Sequence, residues 1–168
     1  VTLHSMFQLP FGAFVPSNEG GVNFNERIKF HTPNTLIKNL QMFDSKRKLL
    51  REVELLIIDE VSMLRADLLD AIDCVLRHVR RRNVPFGGVQ MLFIGDLLQL
   101  PPVVKNEEWE VLKQFYNSIY FFNARVLNQQ KPVYIELDKI YRQKDDRFVA
   151  VLNNLRDGIL TKADSELL

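Results

Sequence analysis

Cysteine is almost missing from this chain of 168 residues. Cys74 stands alone, which excludes an internal disulfide framework and a cysteine-based metal cluster and makes a reducing compartment the expected setting. Net charge is scarce as well. The 22 basic residues face 21 acidic ones, leaving +1 with histidine neutral, so bulk electrostatics gives no argument for a polyanionic partner and any such footprint has to be local. Glycine and proline number 7 each, too few for a collagenous or low-complexity chain, and no internal repeat is visible. No apolar run reaches the roughly 18 residues of a membrane span, and Val1-Thr2-Leu3-His4 has neither the basic nor the apolar region of a signal peptide. A cytosolic or nuclear setting without membrane contact is expected, the bacterial cytoplasm first. What is present, 46% hydrophobic and 26% charged residues, suits one soluble globular domain. At this length about 70% of the unfolded chain's surface can be buried without staples.

The pattern along the chain gives an order of elements. Residues 2–9 read as a short helix capped by Thr2 and stopped by Pro10. Residues 11–31, where Gly12, Pro16 and Gly20-Gly21 interrupt Phe11, Phe14, Phe24 and Phe30, read as an extended or hairpin insertion. Thr32-Pro33 opens a helix whose period through Leu36, Ile37, Leu40 and Phe43 leads to the basic run Lys46-Arg47-Lys48 at its C-terminal end. Positive charge complements the macrodipole there, and the run reads as a solvated helix end in preference to a phosphate patch. Apolar strands at 53–58 and 89–94 flank a helix with Leu68, Leu69, Ile72, Val75, Leu76 and Val79 on one face and an Asp73–Arg77 pair one turn apart. The unbroken aliphatics Leu55-Leu56-Ile57-Ile58 predict a strand covered on both faces. A helix at 107–116, strands at 119–122 and 133–137, and a helix at 148–156 ended by Gly158 follow. Strands alternating with helices predict an α/β fold, a mostly parallel sheet with flanking helices.

In open α/β sheets ligands lie outside the carboxyl ends of the strands, and both apolar strands end in polar residues. Asp59-Glu60 has the form of a Walker-B end, in which the first carboxylate holds Mg²⁺ on a nucleotide and the second orients or deprotonates a water. Taken alone, such a string is more often a turn cap before the next helix. The second strand shifts that balance. Gly95 removes a side chain at its tip, Asp96 sets a carboxylate beside the first pair, and Gln99 adds an amide that can both donate and accept, and so sense a γ-phosphate or a water.

Four blocks, Val1-Thr2-Leu3-His4-Ser5-Met6-Phe7, Leu56-Ile57-Ile58-Asp59-Glu60-Val61-Ser62-Met63, Gly87-Gly88-Val89-Gln90 with Ile94-Gly95-Asp96-Leu97-Leu98-Gln99-Leu100-Pro101-Pro102, and Leu137-Asp138-Lys139-Ile140-Tyr141-Arg142-Gln143, resemble, in order, those of the Pif-type, RecD-like DNA helicases of superfamily one. The resemblance implies a RecA-like P-loop NTPase fold and an ATP-dependent helicase that translocates 5′ to 3′ on single-stranded DNA, unwinds duplex, and serves DNA repair and recombination with ATP and Mg²⁺. By the same resemblance, Asp59 holds the magnesium, Glu60 is the catalytic base, Gln99 senses the γ-phosphate and Arg142 reaches it. An arginine of this kind is worth about 10³- to 10⁵-fold in rate. Asp96 and Tyr141 join the nucleotide site, with Tyr141 near the adenine unless it is simply buried. Thr2, His4 and Ser5 correspond to a segment contacting single-stranded DNA, and Phe7 and Pro10 would pack on bases, with the apolar face of the short helix as the other reading of Phe7. Residues 11–31 fall where these helicases carry a strand-separating wedge. Residues 1–137 would then be the remainder of a first motor domain and 138–168 the entry to a second.

The departures are equally informative. No Gly-x-x-x-x-Gly-Lys-Ser/Thr occurs, so the phosphate cradle is missing, and an internal fragment of a longer helicase is expected, with negligible ATP hydrolysis of its own and a sheet edge open to self-association. Two other readings compete. One is a metal-dependent nuclease using Asp59, Glu60 and Asp96, which leaves Gln99 and Arg142 unexplained; the other is a non-catalytic domain that binds single-stranded DNA or serves as a scaffold.

Overall fold

The computed structural model describes residues 2–17, 29–137, 139, 141, 145–159 and 161–167. Helix α1 (Leu3–Phe7) begins under the Thr2 hydroxyl, which accepts from the Ser5 amide at 3.2 Å, and closes on Gln8 in the left-handed region. Two short strands, β1 (Ala13–Phe14) and β2 (Phe30–His31), then pair in parallel. Hairpin arms run antiparallel, so the ends of the 11–31 segment are not those of a hairpin; residues 18–28, the bulk of the expected wedge, lie outside the described residues. Gly12, at φ +126°, is required there, because a Cβ would stand 2.3 Å from the Lys29 carbonyl oxygen.

Helix α2 (Pro33–Lys38) starts at Thr32-Pro33, with the Thr32 and Thr35 hydroxyls accepting from each other's amides at 3.3 and 2.8 Å. It stops at Lys38, ten residues before the basic run's Lys48 at which the sequence pattern ends the helix, and α3 (Asp44–Glu52) is a separate helix. Leu36 and Met42 are both buried, yet they would face roughly 120° apart on one continuous helix at 100° per residue. Breaking the chain between them puts both into the core and leaves Phe43 exposed. The basic run therefore sits in the first half of α3, not at a helix end.

Strand β3 (Leu55–Ile58) pairs in parallel with β4 (Gln90–Phe93), residue 55 opposite 90 through 58 opposite 93. Helix α4 (Ala66–Arg80) crosses between them and supplies the centre of the core with Leu69, Ile72, Val75, Leu76 and Val79. Its C-terminal Arg80 works as a clamp. The guanidinium donates to the carbonyls of Leu50, Arg51 and Val53 at 2.7–3.0 Å and to Gly87 at 2.9 Å, satisfying the orphan acceptors at the end of α3. Asp73 and Arg77 pair at 2.8 Å as their spacing predicts. Burial pushes the Cys74 thiol up to about 11, so the lone cysteine stays protonated and unreactive.

Helices α5 (Asn106–Leu112) and α6 (Arg125–Gln129) complete the first of two units, Val1–Pro132; the second, Val133–Leu168, contains α7 (Asp146–Arg156) and α8 (Lys162–Leu167). Two predicted strands do not form. Residues 119–122 give only an isolated bridge between Arg65 and Tyr120 and a 3₁₀ turn, and residues 133–137 carry no strand, with Leu137 left 88% exposed. The β3–β4 pair also departs from expectation. Ile58, Leu56, Met91 and Phe93 pack on the core, but the pleat turns Leu55, Ile57 and Leu92 outward at about half exposure, so the described residues cover one face alone.

Candidate functional site

The carboxyl ends of β3 and β4 are tied together by the backbone. The Ile94 amide donates to Ile58 at 2.9 Å, and the Val61 amide donates back to Ile94 at 3.0 Å. The ladder thus continues past both strands and holds the turn containing Asp59 and Glu60 against Gly95. That closeness explains the glycine, since a Cβ on Gly95 would lie 2.8 Å from the Val61 nitrogen. Glu60 itself adopts a left-handed backbone, φ 52°, and its amide donates to the Asp59 carboxylate at 2.9 Å. Both side chains are exposed. On the β4 side, the Asp96 carboxylate accepts from the Leu98 amide at 3.0 Å and the Asp96 carbonyl from the Gln99 amide at 3.0 Å. This turn sets Gln99 exposed on the loop after β4.

One oxygen of Asp59 is engaged with a backbone amide, and the carboxylate is open to solvent. That donor suits magnesium, which is held by one or two carboxylates together with nucleotide phosphates. Among the described residues no three acidic, histidine or cysteine side chains gather to hold a metal ion. Asp59, Glu60 and Asp96 therefore do not form the three-carboxylate cluster that the nuclease reading requires. Tyr141, in the second unit, is 78% exposed with the Lys139 ammonium 5.1 Å from its ring centre, so it is not the buried aromatic of the other reading. Arg142 lies outside the described residues.

The N-terminal segment divides its expected members. Thr2 and Ser5 are exposed, and Pro10 is half-buried. Phe7 is 0% exposed: it is core, and the expectation that it stacks on bases is corrected because helix α1 turns that side inward. Phe11 takes the exposed position instead, 84% open, with its ring stacked on His4 at 5.6 Å. His4 is held below its ordinary pKa by burial and by the nearby Arg65, against the opposing pull of Asp67, which favours a neutral imidazole.

Beneath this segment lies a charged network that the sequence reading missed. Arg65 donates to both oxygens of Asp67 at 2.8 and 2.7 Å and to Glu108 at 3.0 Å. Asp67, 2% exposed, also accepts from the Phe14 amide at 3.0 Å. Burial works to lower the Arg65 pKa, but the two carboxylates outweigh it and raise it above its ordinary value. Asp70 likewise accepts from the Arg125 and Val126 amides and the Tyr116 hydroxyl. Burial nevertheless pushes its carboxyl up, and pushes Tyr116 up too. The available signal was Asp67, Asp70 and Asp73 at three-residue spacing along the apolar helix α4. Ser62, 1% exposed, has a hydroxyl with no hydrogen-bond partner among the described residues.

Parallel strands whose carboxyl ends carry an Asp-Glu pair and a glutamine turn define an α/β fold of the RecA-like kind. Residues 24–166 match the family model described as PIF1-like helicase, and the chain belongs to that family. It is 35% identical over 130 residues to the ATP-dependent DNA helicase RRM3 of Saccharomyces cerevisiae, covering 77% of this chain and 17% of that protein. It is 41% identical over 103 residues to the human ATP-dependent DNA helicase PIF1, covering 61% of this chain and 15% of that protein. A Pif1 helicase from Bacteroides, solved with ADP-AlF3 and single-stranded DNA, superposes with a TM-score of 0.81 at 43% identity, covering 99% of this chain and 35% of that one. The chain thus spans about one sixth of these curated relatives and about a third of the solved structure.

Proposed function

We propose that the polypeptide carrying this chain is an ATP-driven motor that moves 5′ to 3′ on single-stranded DNA and unwinds duplex at junctions, in repair and recombination. The observation that carries this reading is the backbone tie between the ends of β3 and β4, which packs the Asp59-Glu60 turn against Gly95 at the head of the Gln99 loop. In this reading residues 1–137 belong to the first motor domain and 138–168 lead into the second. Asp59 would hold magnesium, which when bound neutralises charge on the nucleotide phosphates. Glu60, exposed and fixed by its backbone, accepts the proton of the attacking water. Gln99 reads the γ-phosphate, Arg142 adds positive charge to it, Asp96 shapes the loop that presents Gln99, and Tyr141 offers a ring to the base. Thr2, His4, Ser5 and Pro10 line the path of the DNA. The outward apolar side chains of β3 and β4 support self-association of the isolated chain.

The test is ATP turnover by the full-length polypeptide with and without single-stranded DNA, wild type beside Glu60→Gln. Stimulated turnover that falls at least about 100-fold in the variant, the lower range for a lost general base, is the expected result. A folded wild type that binds DNA without turnover would refute the motor and leave the non-catalytic DNA-binding reading.

A further inference from the structure

We propose that Phe11 is a base-stacking platform for single-stranded DNA and that Lys46 supplies the phosphate contact beside it. This rests on the DNA-binding reading above and assigns to that surface two residues outside the motif that pointed to it. An aromatic ring that is 84% exposed gains little for the fold, yet this ring is fixed. One face rests on the His4 imidazole, centroids 5.6 Å apart and planes 22° from parallel. Its backbone carbonyl accepts from the His31 ring nitrogen at 3.1 Å, and Gly12 turns the chain sharply just after it. A ring held in place from one side offers its other face to any flat partner, and every nucleobase is one.

The charge is docked on the next residue along α1, Ser5. Lys46 reaches over from α3 and donates to the Ser5 carbonyl at 2.6 Å, an acceptor it shares with the Gln8 amide at 3.0 Å. An ammonium has three donors, so this contact orients Lys46 and leaves two for a phosphate oxygen. Residues 2–17 contain no acidic side chain, and the carboxylate beneath them, Asp67, is already matched by Arg65. Among the described residues no carboxylate pairs with Lys46, which therefore brings positive charge to the neighbour of the residue that supports Phe11. The residues that anchor ring and cation, His4 and Ser5, are consecutive positions of α1, which brings together the aromatic and basic groups that bind a single strand without reading its sequence.

Fluorescence anisotropy of a labelled oligothymidine titrated with the full-length polypeptide tests this. Phe11→Ala should weaken binding roughly 5- to 150-fold, the span of one base–aromatic stack, while Phe11→Trp should retain it. Unfolding midpoints should match wild type, since the side chain is outside the core. Lys46→Gln preserves a donor for the Ser5 carbonyl and should flatten the dependence of log affinity on log salt by about 0.7, one phosphate on a single strand. Phe11→Ala binding within twofold of wild type, or an unchanged slope for Lys46→Gln, overturns the corresponding half. A wild type that fails to bind the oligonucleotide overturns the DNA-binding reading itself.

Discussion

Replacing Asp70 by alanine tests how the first unit is locked together. The carboxylate is 6% exposed and takes three donors: the Arg125 amide at 3.0 Å and Tyr116 hydroxyl at 2.8 Å on one oxygen, and the Val126 amide at 2.9 Å on the other. It closes the start of α6 and the end of the α5 segment onto α4. Alanine leaves all three donors buried, each worth about 1–3 kcal/mol when unsatisfied. Two of them sit at the start of the five-residue helix α6, where fraying readmits water, so a net loss of roughly 3–5 kcal/mol is expected. Asparagine should cost less, about 1–2 kcal/mol. It sheds a charge that burial disfavours, but it must turn its amide toward one of two backbone donors. Tyr116→Phe, which removes a single bond, should cost about 1 kcal/mol. Urea unfolding followed by circular dichroism reads all three. The reasoning is refuted if Asp70→Ala unfolds within about 1 kcal/mol of wild type, or if Tyr116→Phe exceeds Asp70→Ala.

Two further outcomes follow from the site. Gly95→Ala places a methyl 2.8 Å from the Val61 nitrogen, so the Asp59-Glu60 turn must move; about 1–3 kcal/mol of overpacking and a tenfold or greater drop in DNA-stimulated ATP turnover of the full-length polypeptide are expected, and wild-type turnover would contradict the packing argument. The His4 pKa is lowered in the fold, so the unfolded chain binds the proton more readily. The stability this residue contributes is present above its ordinary 6.5 and is lost as pH falls below it. The melting midpoint of wild type should therefore drop more steeply between pH 7 and 5.5 than that of His4→Gln; parallel curves would refute it.

Legibility in the sequence followed locality. The β3 and β4 strands, the carboxylates at the end of β3, the glycine at the tip of β4 and the Asp73–Arg77 pair could be read because each depends on neighbours within a few residues. The break between α2 and α3 could not, since nothing in Asn39-Leu40-Gln41-Met42-Phe43 stops a helix, and the choice to bury Met42 over Phe43 is made by the surrounding core. Phe7 and Phe11 are the same residue type four positions apart, and only the packing of α1 decides which is inside. Arg65, Asp67 and Asp70 draw partners from 43 to 56 positions away, beyond the reach of any local pattern. Strand 133–137 had the right composition but finds no pairing partner among the described residues.

In the proposed motor, Glu60 sets folding against activity. Its left-handed backbone is one that glycine or asparagine adopts readily and glutamate does not, and holding it there stores about 1 kcal/mol or more. The Val61 amide's bond to Ile94 keeps the turn in that state. Selection for robustness alone would fill position 60 with a smaller residue and gain by it. The glutamate that stands there trades some of the unit's resilience for an exposed carboxylate in a fixed orientation, and mutations that relax this turn are where greater stability and lost turnover should coincide.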